Sequence, residues 1–248
     1  MARPRNLRNP PVVEALIDIT TRFSVPADLA RFAQLHADIL ADYPTQEIRN
    51  AFTVIITAPQ GVVPAVAGSN APIAYVFRAA NNTRAVQSKS DGFSFSQLAP
   101  YQGWDAAIGE GIRVWELYRS RFRPERVLRL SVRFINRIKL PGPIMDFDDY
   151  IIAAPRVPAE LPQGISEFSS SYVVPIAAKT IARMRMAFSA AEVTSTEIPL
   201  LLDIDILTEC DIDPANVTEI MDSFAKLRVL KNHVFFGTLT EKAVELFE

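Results

Sequence analysis

Residues 128–139 alternate apolar and polar side chains in the two-residue period of a β-strand. Arg129, Arg133 and Arg137 fall on one side of this strand. The other side is almost wholly apolar and holds Leu128, Leu130, Val132, Phe134 and Ile138. The pattern predicts a strand with one side in the core and a row of arginines on the other side. Asn136 interrupts the apolar side, and a buried amide there is expected to bond to the backbone of a neighbouring helix end or loop.

The same periodicities predict a succession of strands and helices along the first half of the chain. The first strand begins after the prolines at positions 10 and 11, and the helix after it takes Ser24 as its cap. The predicted elements are a strand at 12–23, a helix at 26–43, strands at 47–58, 73–80 and 85–95, and a helix at 101–122.

The second half repeats this order. A strand at 127–139 is followed by a short helical turn at 147–154, and Asp213 and Thr238 are the predicted caps of two final helices. The remaining predicted elements are strands at 167–176, 180–192 and 200–210 and helices at 214–229 and 239–247.

The order of elements therefore predicts an α+β fold with a duplicated β-α-β-β-β-α plan. We expect a mostly antiparallel sheet with long helices packed on one face. The chain is expected to be a single domain, 1–248, made of two pseudo-repeat halves at about 8–123 and 124–248. The halves show no residue-level repeat, so the duplication is one of element order.

Composition excludes some classes of partner. The chain has a formal net charge of −2 and is 49% hydrophobic, so nothing draws the whole molecule to nucleic acid or anionic lipid. The single cysteine, Cys210, is not in a metal-binding spacing and fits a reducing, cytoplasmic location. The basic start leads into an amphipathic run, which predicts neither a signal peptide nor a membrane span.

Three stretches carry a resemblance to a known family: RNPPVVEALIDITTRF at 8–23, RFINRI at 133–138 and FFGTLTEKAVELFE at 235–248. Together they resemble a sporadically distributed prokaryotic family of about 250 residues, with "PxVEA" near the start, "RxxNRI" in the middle and "FxxxxT" near the end. That family has no established activity, so the resemblance implies no catalytic residue. Its scattered occurrence implies an accessory gene, such as a component of a toxin-antitoxin or phage-defence operon.

Charged residues on other strands fall on the same side as the arginine row. Each alternates with apolar neighbours: Asp18 and Arg22 on the first strand, Arg183 and Arg185 at 180–192, and Asp203 and Asp205 at 200–210. One interpretation is a solvated face with cross-strand ion pairs. Another is a polar trough in which arginine forks bind a phosphate or carboxylate. Single-stranded nucleic acid is not expected, because Phe134 and Phe188 fall on the opposite side.

Signs of catalysis are weak. Asp203 and Asp205 are the one acidic pair whose spacing suits a metal, although ion pairing is the commoner explanation. His36 and His233 are the two histidines, and neither lies in a catalytic motif. With nine glycines and no glycine-rich phosphate loop, no cofactor is expected.

These observations favour a non-enzymatic cytoplasmic protein that binds a partner or senses a ligand. Its expected partners are another protein, a second copy in a homodimer, or a small phosphate-bearing ligand, without nucleic acid or membrane. The candidate binding residues are Asp18, Arg22, Arg129, Arg133, Arg137, Arg183 and Arg185. The alternative hypothesis is a metal-assisted phosphohydrolase or nucleotide-processing enzyme that uses Asp203, Asp205 and the arginine face.

Overall fold

A single nine-stranded sheet dominates the structure, which is a computed structural model. It describes residues 2–25, 28–57, 65–142, 146–194 and 197–248, with backbone alone for 52–57 and 65–69. Every strand pairing is antiparallel, and the order across the sheet is β2-β3-β4-β5-β1-β6-β9-β8-β7. The strands are β1 Val12–Arg22, β2 Thr45–Thr57, β3 Ala65–Arg78, β4 Arg84–Lys89, β5 Gly92–Leu98, β6 Arg126–Pro141, β7 Glu167–Ala177, β8 Thr180–Ser189 and β9 Glu197–Ile212.

Helices cover the central strands on one face only. The two longest, α2 and α3, lie against β5 and β1 and against β6 and β9, respectively. Short 3-10 segments occur at Leu29–Leu35, Phe147–Asp149 and Ala190–Glu192. The α-helices are α1 His36–Ile39, α2 Trp104–Phe122, α3 Val217–Thr238 and α4 Glu241–Glu245.

The prediction of an α+β fold with a duplicated β-α-β-β-β-α plan and long helices packed on the sheet is wrong. The chain is mostly antiparallel sheet, and helices make up 28% of it. The helix expected at 26–43, part of which lies outside the described residues, is a 3-10 segment followed by the four-residue α1. Much of the chain forms long strands instead of helices, and β6 and β9 have 16 residues each. The division into two pseudo-repeat halves stays a prediction.

One hairpin accounts for a strand that the sequence pattern merged with its neighbour. The predicted strand at 85–95 is two strands, β4 and β5, joined at Ser90 and Asp91. Asp-Gly is a turn sequence, and Gly92 has a φ of +155°. A Cβ at Gly92 would lie 2.2 Å from the carbonyl oxygen of Ile19, so only glycine fits this turn against β1.

The core lies between the sheet and α2 and α3. Alternate residues of the central strands are buried there, including Ile17, Phe95, Val132 and Ile204. Helix α2 approaches β1 closely at Gly111, where a Cβ would meet the Ile17 side chain at 2.3 Å. The opposite face of the sheet is not covered by these helices and carries the alternate, polar residues.

The final helices are capped by other residues than the predicted ones. Asn216, three residues after Asp213, accepts a hydrogen bond from the backbone N–H of Glu219 at the start of α3 (3.2 Å). Thr240, rather than Thr238, accepts one from the N–H of Ala243 at the start of α4 (3.2 Å). Across the described ranges, no helix has the length and apolar character of a membrane span.

Candidate anion-binding site

The uncovered face of the sheet brings most of the predicted site residues together. Strands β6, β9 and β8 are neighbours, and their register places Arg133 opposite Asp205 and Asp205 opposite Arg183. Strand β1 lies on the other side of β6, with Asp18 opposite Ser131. We call this surface the charged face and define it by Asp18, Arg49, Lys89, Arg129, Arg133, Arg183, Arg185, Asp203 and Asp205.

Two shallow depressions of about 280 Å³ each mark the charged face. The first, above β1 and β6, is lined by five cations and two carboxylates, an excess of three positive charges. The second, above β8 and β9, is lined by Arg133, Arg183 and Arg185 together with Asp203 and Asp205.

Arg133 forms a bidentate salt bridge with Asp203. Its Nε donates to one carboxylate oxygen at 2.9 Å and its Nη2 donates to the other at 2.6 Å. The hydrogen bonds to Asp203 raise the pKa of Arg133. This fork is the geometry in which arginine binds carboxylates most strongly, and here the carboxylate is supplied by the neighbouring strand.

Asp205 is held by a hydroxyl and a more distant cation. The Ser131 hydroxyl donates to its Oδ1, and the nearest Arg183 nitrogen is 3.8 Å from its Oδ2. Burial raises the pKa of Asp205, against the opposing effects of the Ser131 hydrogen bond and of Arg183 and Arg133. The arginines therefore compensate this buried charge only in part.

Asp18 is the third buried carboxylate and has the most partners. The Ser94 hydroxyl donates to its Oδ2 at 2.6 Å, and Lys89 donates to the same oxygen. Arg129 Nη2 lies 3.7 Å from Oδ1, and the Arg129 Nε has no hydrogen-bond partner within the described residues. One carboxylate thus organises two cations from different strands.

The carboxylates lie at the floor and the arginines stand above them. The side chains of Asp18, Asp203 and Asp205 are 13%, 14% and 20% exposed. The side chains that pair with them, Arg129, Arg133 and Arg183, are 41%, 45% and 52% exposed. The outward N–H groups of the guanidinium ions therefore remain open to solvent.

Three predicted arginines have different surroundings. Arg22 is the last residue of β1 and pairs with Glu125 at 3.3 Å. Arg137 pairs with Glu192 at 3.1 Å and lines a separate depression of about 340 Å³. Arg185 lines both this depression and the second one, and it has no ion pair or hydrogen bond among the described residues. Arg22 and Arg137 thus line neither of the two depressions that define the charged face.

Two cations of the charged face were missed from the sequence. Lys89 ends β4, and Arg49 lies on β2 with Ala74 between them in the register. Arg49 donates a hydrogen bond to the Gln87 side chain at 2.9 Å. The signal that would have found Lys89 is the alternation of Gln87 and Lys89 with apolar Val86, but it is readable only once β4 is recognised as a separate strand.

The geometry gives little support to a metal site. All the contacts of Asp203 and Asp205 described above are with cations and a hydroxyl of the charged face. Within the described ranges, no cluster of three or more His, Cys, Asp or Glu side chains is suited to hold a metal ion. Asp203 and Asp205 on their own provide two carboxylates that arginines already occupy.

The remaining reactive residue types have structural contacts. His36 Nε2 is 2.9 Å from the carbonyl oxygen of Tyr43, and its ring stacks on Phe77. Burial raises the pKa of the Cys210 thiol to about 11, and its Sγ donates to the carbonyl oxygen of Val127 at 3.6 Å. Such a thiol is mostly protonated at neutral pH and is a poor nucleophile.

Comparison with known proteins adds no assignment to this geometry. No family model matches the chain, and no significant match is found among curated proteins. The family resemblance inferred from the three sequence stretches stays a prediction.

Proposed function

We propose that the protein is a non-enzymatic, cytoplasmic ligand-sensing or interaction protein that binds a phosphate-bearing anion on its charged face. The observation that carries this proposal is that the carboxylates lie at the floor of the charged face and the arginines lie above them. Buried carboxylates orient arginines whose outer N–H groups stay open, and the first depression keeps an excess of three positive charges. Arginine forks bind phosphate oxygens through paired N–H groups.

The charged face is better suited to binding than to chemistry. A phosphohydrolase would need Asp203 and Asp205 to hold a metal ion, but Arg133 and Ser131 donate hydrogen bonds to these carboxylates. Releasing them would leave Arg133 without its partner. Turnover of a phosphate ester with added Mg²⁺, lost in Asp203→Asn, would favour the enzyme instead.

A thermal shift experiment tests the proposal. We expect inorganic pyrophosphate to raise the unfolding midpoint of the protein by several degrees at saturating concentration, because a ligand stabilises the state that binds it. Arg133→Ala should abolish this rise. Arg156→Ala is the matched control, since Arg156 is an exposed arginine paired with Asp148 outside the charged face. No rise in the parent protein, or an equal loss in both variants, would reject the proposal.

Self-association is part of the proposal, through the edge strand β7. In the described part of the chain this strand pairs only with β8, and Tyr172, Val173 and Val174 are exposed on it. A two-fold axis would pair β7 with a second copy without bringing like charges together, over the stretch before Pro175. Sedimentation should show a dimer that Val173→Lys dissociates, and a monomeric parent protein would contradict this.

A further inference from the structure

Another cavity lies on the helix-bearing side of the sheet, opposite the charged face. It measures about 390 Å³, within the range of small-molecule pockets. Its walls come from residues 5–12, from the start of α2, from β6 and from α3. We call it the aromatic pocket and define it by Tyr101, Trp104, Phe134, Arg228, Lys231 and Phe235. The three sequence stretches singled out above all contribute to its lining.

The segment that closes one side of the aromatic pocket is firmly attached. The backbone N–H of Ala2 donates to the carbonyl oxygens of Phe236 and Leu239 at 3.1 and 3.0 Å, and that of Asn9 donates to Phe247 at 3.0 Å. Arg5 adds ion pairs to two glutamates that follow α3 in the chain. The pocket wall is therefore part of the fold rather than a loosely placed tail.

The charge of the aromatic pocket is one-sided. Among the described residues, four cations line it, namely Arg5, Arg8, Arg228 and Lys231, and no carboxylate does. Arg5 is neutralised by its glutamate partners. The other three have no ion pair within the described part of the chain. The positive charge here is therefore not balanced, unlike that of Arg133 and Lys89 on the charged face.

Lys231 is compensated only by aromatic rings among the described residues. Its ammonium lies 4.0 Å from the centre of the Phe134 ring and 5.9 Å from that of Phe235, and it donates no hydrogen bond to any described residue. Burial, with a smaller effect of Arg228, lowers its pKa to about 8. Aromatic faces offset the charge of an ammonium only in part, so an anion beside Lys231 would be strongly stabilising.

The other walls suit a flat apolar body. Arg228 covers the Trp104 ring at 5.5 Å, and Trp104 and Tyr101 both pack against Phe134. Burial raises the pKa of Tyr101 to about 12, so its hydroxyl stays neutral. Asn136 donates through Nδ2 to the carbonyl oxygens of Phe134 and Leu202 at 3.3 and 3.0 Å. These are strand carbonyls rather than the helix end or loop expected, and the Asn136 Oδ1 accepts no hydrogen bond from the described residues.

We infer that the aromatic pocket binds a small aromatic anion, whose acidic group pairs with Lys231 and Arg228 and whose ring packs against Phe134 and Trp104. This site is separate from the one proposed on the charged face, because alternate residues of β6 point to the two sites. A carboxylate and a phosphate share the required charge, and the probes below distinguish them.

Calorimetric titration of the full chain tests this inference with four probes. 2-Naphthoate carries both ring and carboxylate, 2-naphthyl phosphate carries ring and phosphate, 2-naphthalenemethanol carries the ring alone, and acetate carries the carboxylate alone. We expect 2-naphthoate or 2-naphthyl phosphate to bind at least about tenfold more tightly than the alcohol, as one charge-assisted hydrogen bond allows. Acetate should show no measurable binding.

Substitutions show which residues bind the acidic group of the probe. Lys231→Met should reduce the affinity for the preferred anion to that for the alcohol and leave the alcohol's affinity unchanged. Lys226→Met, which removes an exposed lysine of the same helix, and Arg133→Ala, on the charged face, should change neither. Arg228→Gln is a second variant that separates loss of binding from misfolding of Lys231→Met, and it should give a smaller loss of affinity in the same direction.

Four results would overturn the inference. One is that no naphthyl probe binds, and another is that the alcohol binds as tightly as both anions. The third is that Lys226→Met weakens the anion as much as Lys231→Met does. The fourth is loss of anion binding in Arg133→Ala with Lys231→Met unaffected, which would place the aromatic anion on the charged face instead.

Discussion

The charged face and the aromatic pocket lie on opposite sides of β6 and treat positive charge differently. On the charged face, Arg133 is paired with Asp203 on the neighbouring strand β9, and Lys89 on β4 is paired with Asp18 on β1, two strands away. In the aromatic pocket, Lys231 and Arg228 are paired with aromatic rings. The number of cations in a region is therefore a poor guide to its affinity for anions, and what matters is how far the protein itself neutralises them.

Because of this difference, we expect the two regions to bind different ligands. The open arginines of the charged face offer only their outer N–H groups, in shallow depressions that suit a phosphate group on a larger body. The aromatic pocket is larger, at about 390 Å³ against about 280 Å³, and none of its described lining residues is acidic, so it offers an ammonium ion with no competing carboxylate. Substitutions on the two sides of β6 separate these accounts.

The largest effect is expected for Phe134→Ala, on the pocket side of β6. Phe134 is buried and touches the Tyr101 and Trp104 rings as well as Lys231. Its removal leaves a cavity, and we expect the free energy of unfolding to fall by about 3–5 kcal/mol in denaturant titrations. Phe134→Leu is the control that keeps most of the volume. A loss of less than about 1 kcal/mol for Phe134→Ala would show that Phe134 is not part of the core.

Lys231→Met should stabilise the protein without ligand. The folded protein holds the Lys231 proton with a pKa of about 8 and the unfolded chain holds it with one of 10.5. Between these values the unfolded state binds more protons, so stability rises with pH, and below both the full cost of the buried charge is present. We expect a gain of about 2 kcal/mol at neutral pH after allowing for partial exposure.

The measurement for Lys231→Met is urea unfolding at several pH values. The gain should shrink as the pH passes from about 8 to 10.5, while the pocket arginines stay charged throughout. Lys226→Met should show no pH-dependent difference from the parent protein in the same range. A destabilised Lys231→Met variant at neutral pH would contradict the unpaired ammonium.

A smaller effect is expected on the charged face, for Asp203→Asn. The bidentate pair with Arg133 is lost, but Arg133 is nearly half exposed and water replaces the carboxylate. We expect the free energy of unfolding to fall by about 1 kcal/mol. Pyrophosphate binding should strengthen at the same time, because removal of a negative charge outweighs the loss of the orientation that Asp203 gives Arg133. Weaker pyrophosphate binding in this variant would show that this orientation matters more than the charge.

The smallest effect on stability is expected for Arg185→Ala. Arg185 has no ion pair or hydrogen bond within the described residues, so its loss should change the free energy of unfolding by less than about 0.5 kcal/mol. Pyrophosphate affinity should nevertheless fall, since Arg185 lines the second depression. Unchanged affinity in calorimetric titration would restrict the anion to the first depression.

The charged face could be predicted from the sequence because strand periodicity is local. The alternation around Arg133, and that of Asp203 and Asp205, separates core from charged positions without knowledge of the fold. Which arginines line the depressions depends on tertiary structure, since Arg22 at the end of β1 pairs with Glu125 instead. The hairpin at Asp91 and Gly92 was missed, and Lys89 with it.

The aromatic pocket could not be predicted in the same way. Its lining comes from four segments spread between Arg5 and Phe236, and only tertiary structure brings them together. Lys231 has no distinguishing sequence signal, since α3 also carries the exposed Lys226. The prediction of the fold class was wrong for a related reason. Helix periodicity near residues 26–43 does not show how many of these residues become helical once the segment packs against the sheet.

The most direct test of the contrast between the two regions is a nuclear magnetic resonance titration of the Lys231 side chain, assigned with Lys231→Met. Burial of the unpaired ammonium, with a smaller effect of Arg228, predicts a pKa of about 8 for Lys231, which 2-naphthoate or 2-naphthyl phosphate raises as its acidic group pairs with the ammonium. An ordinary pKa of 10.5, unchanged by either probe, would contradict the account.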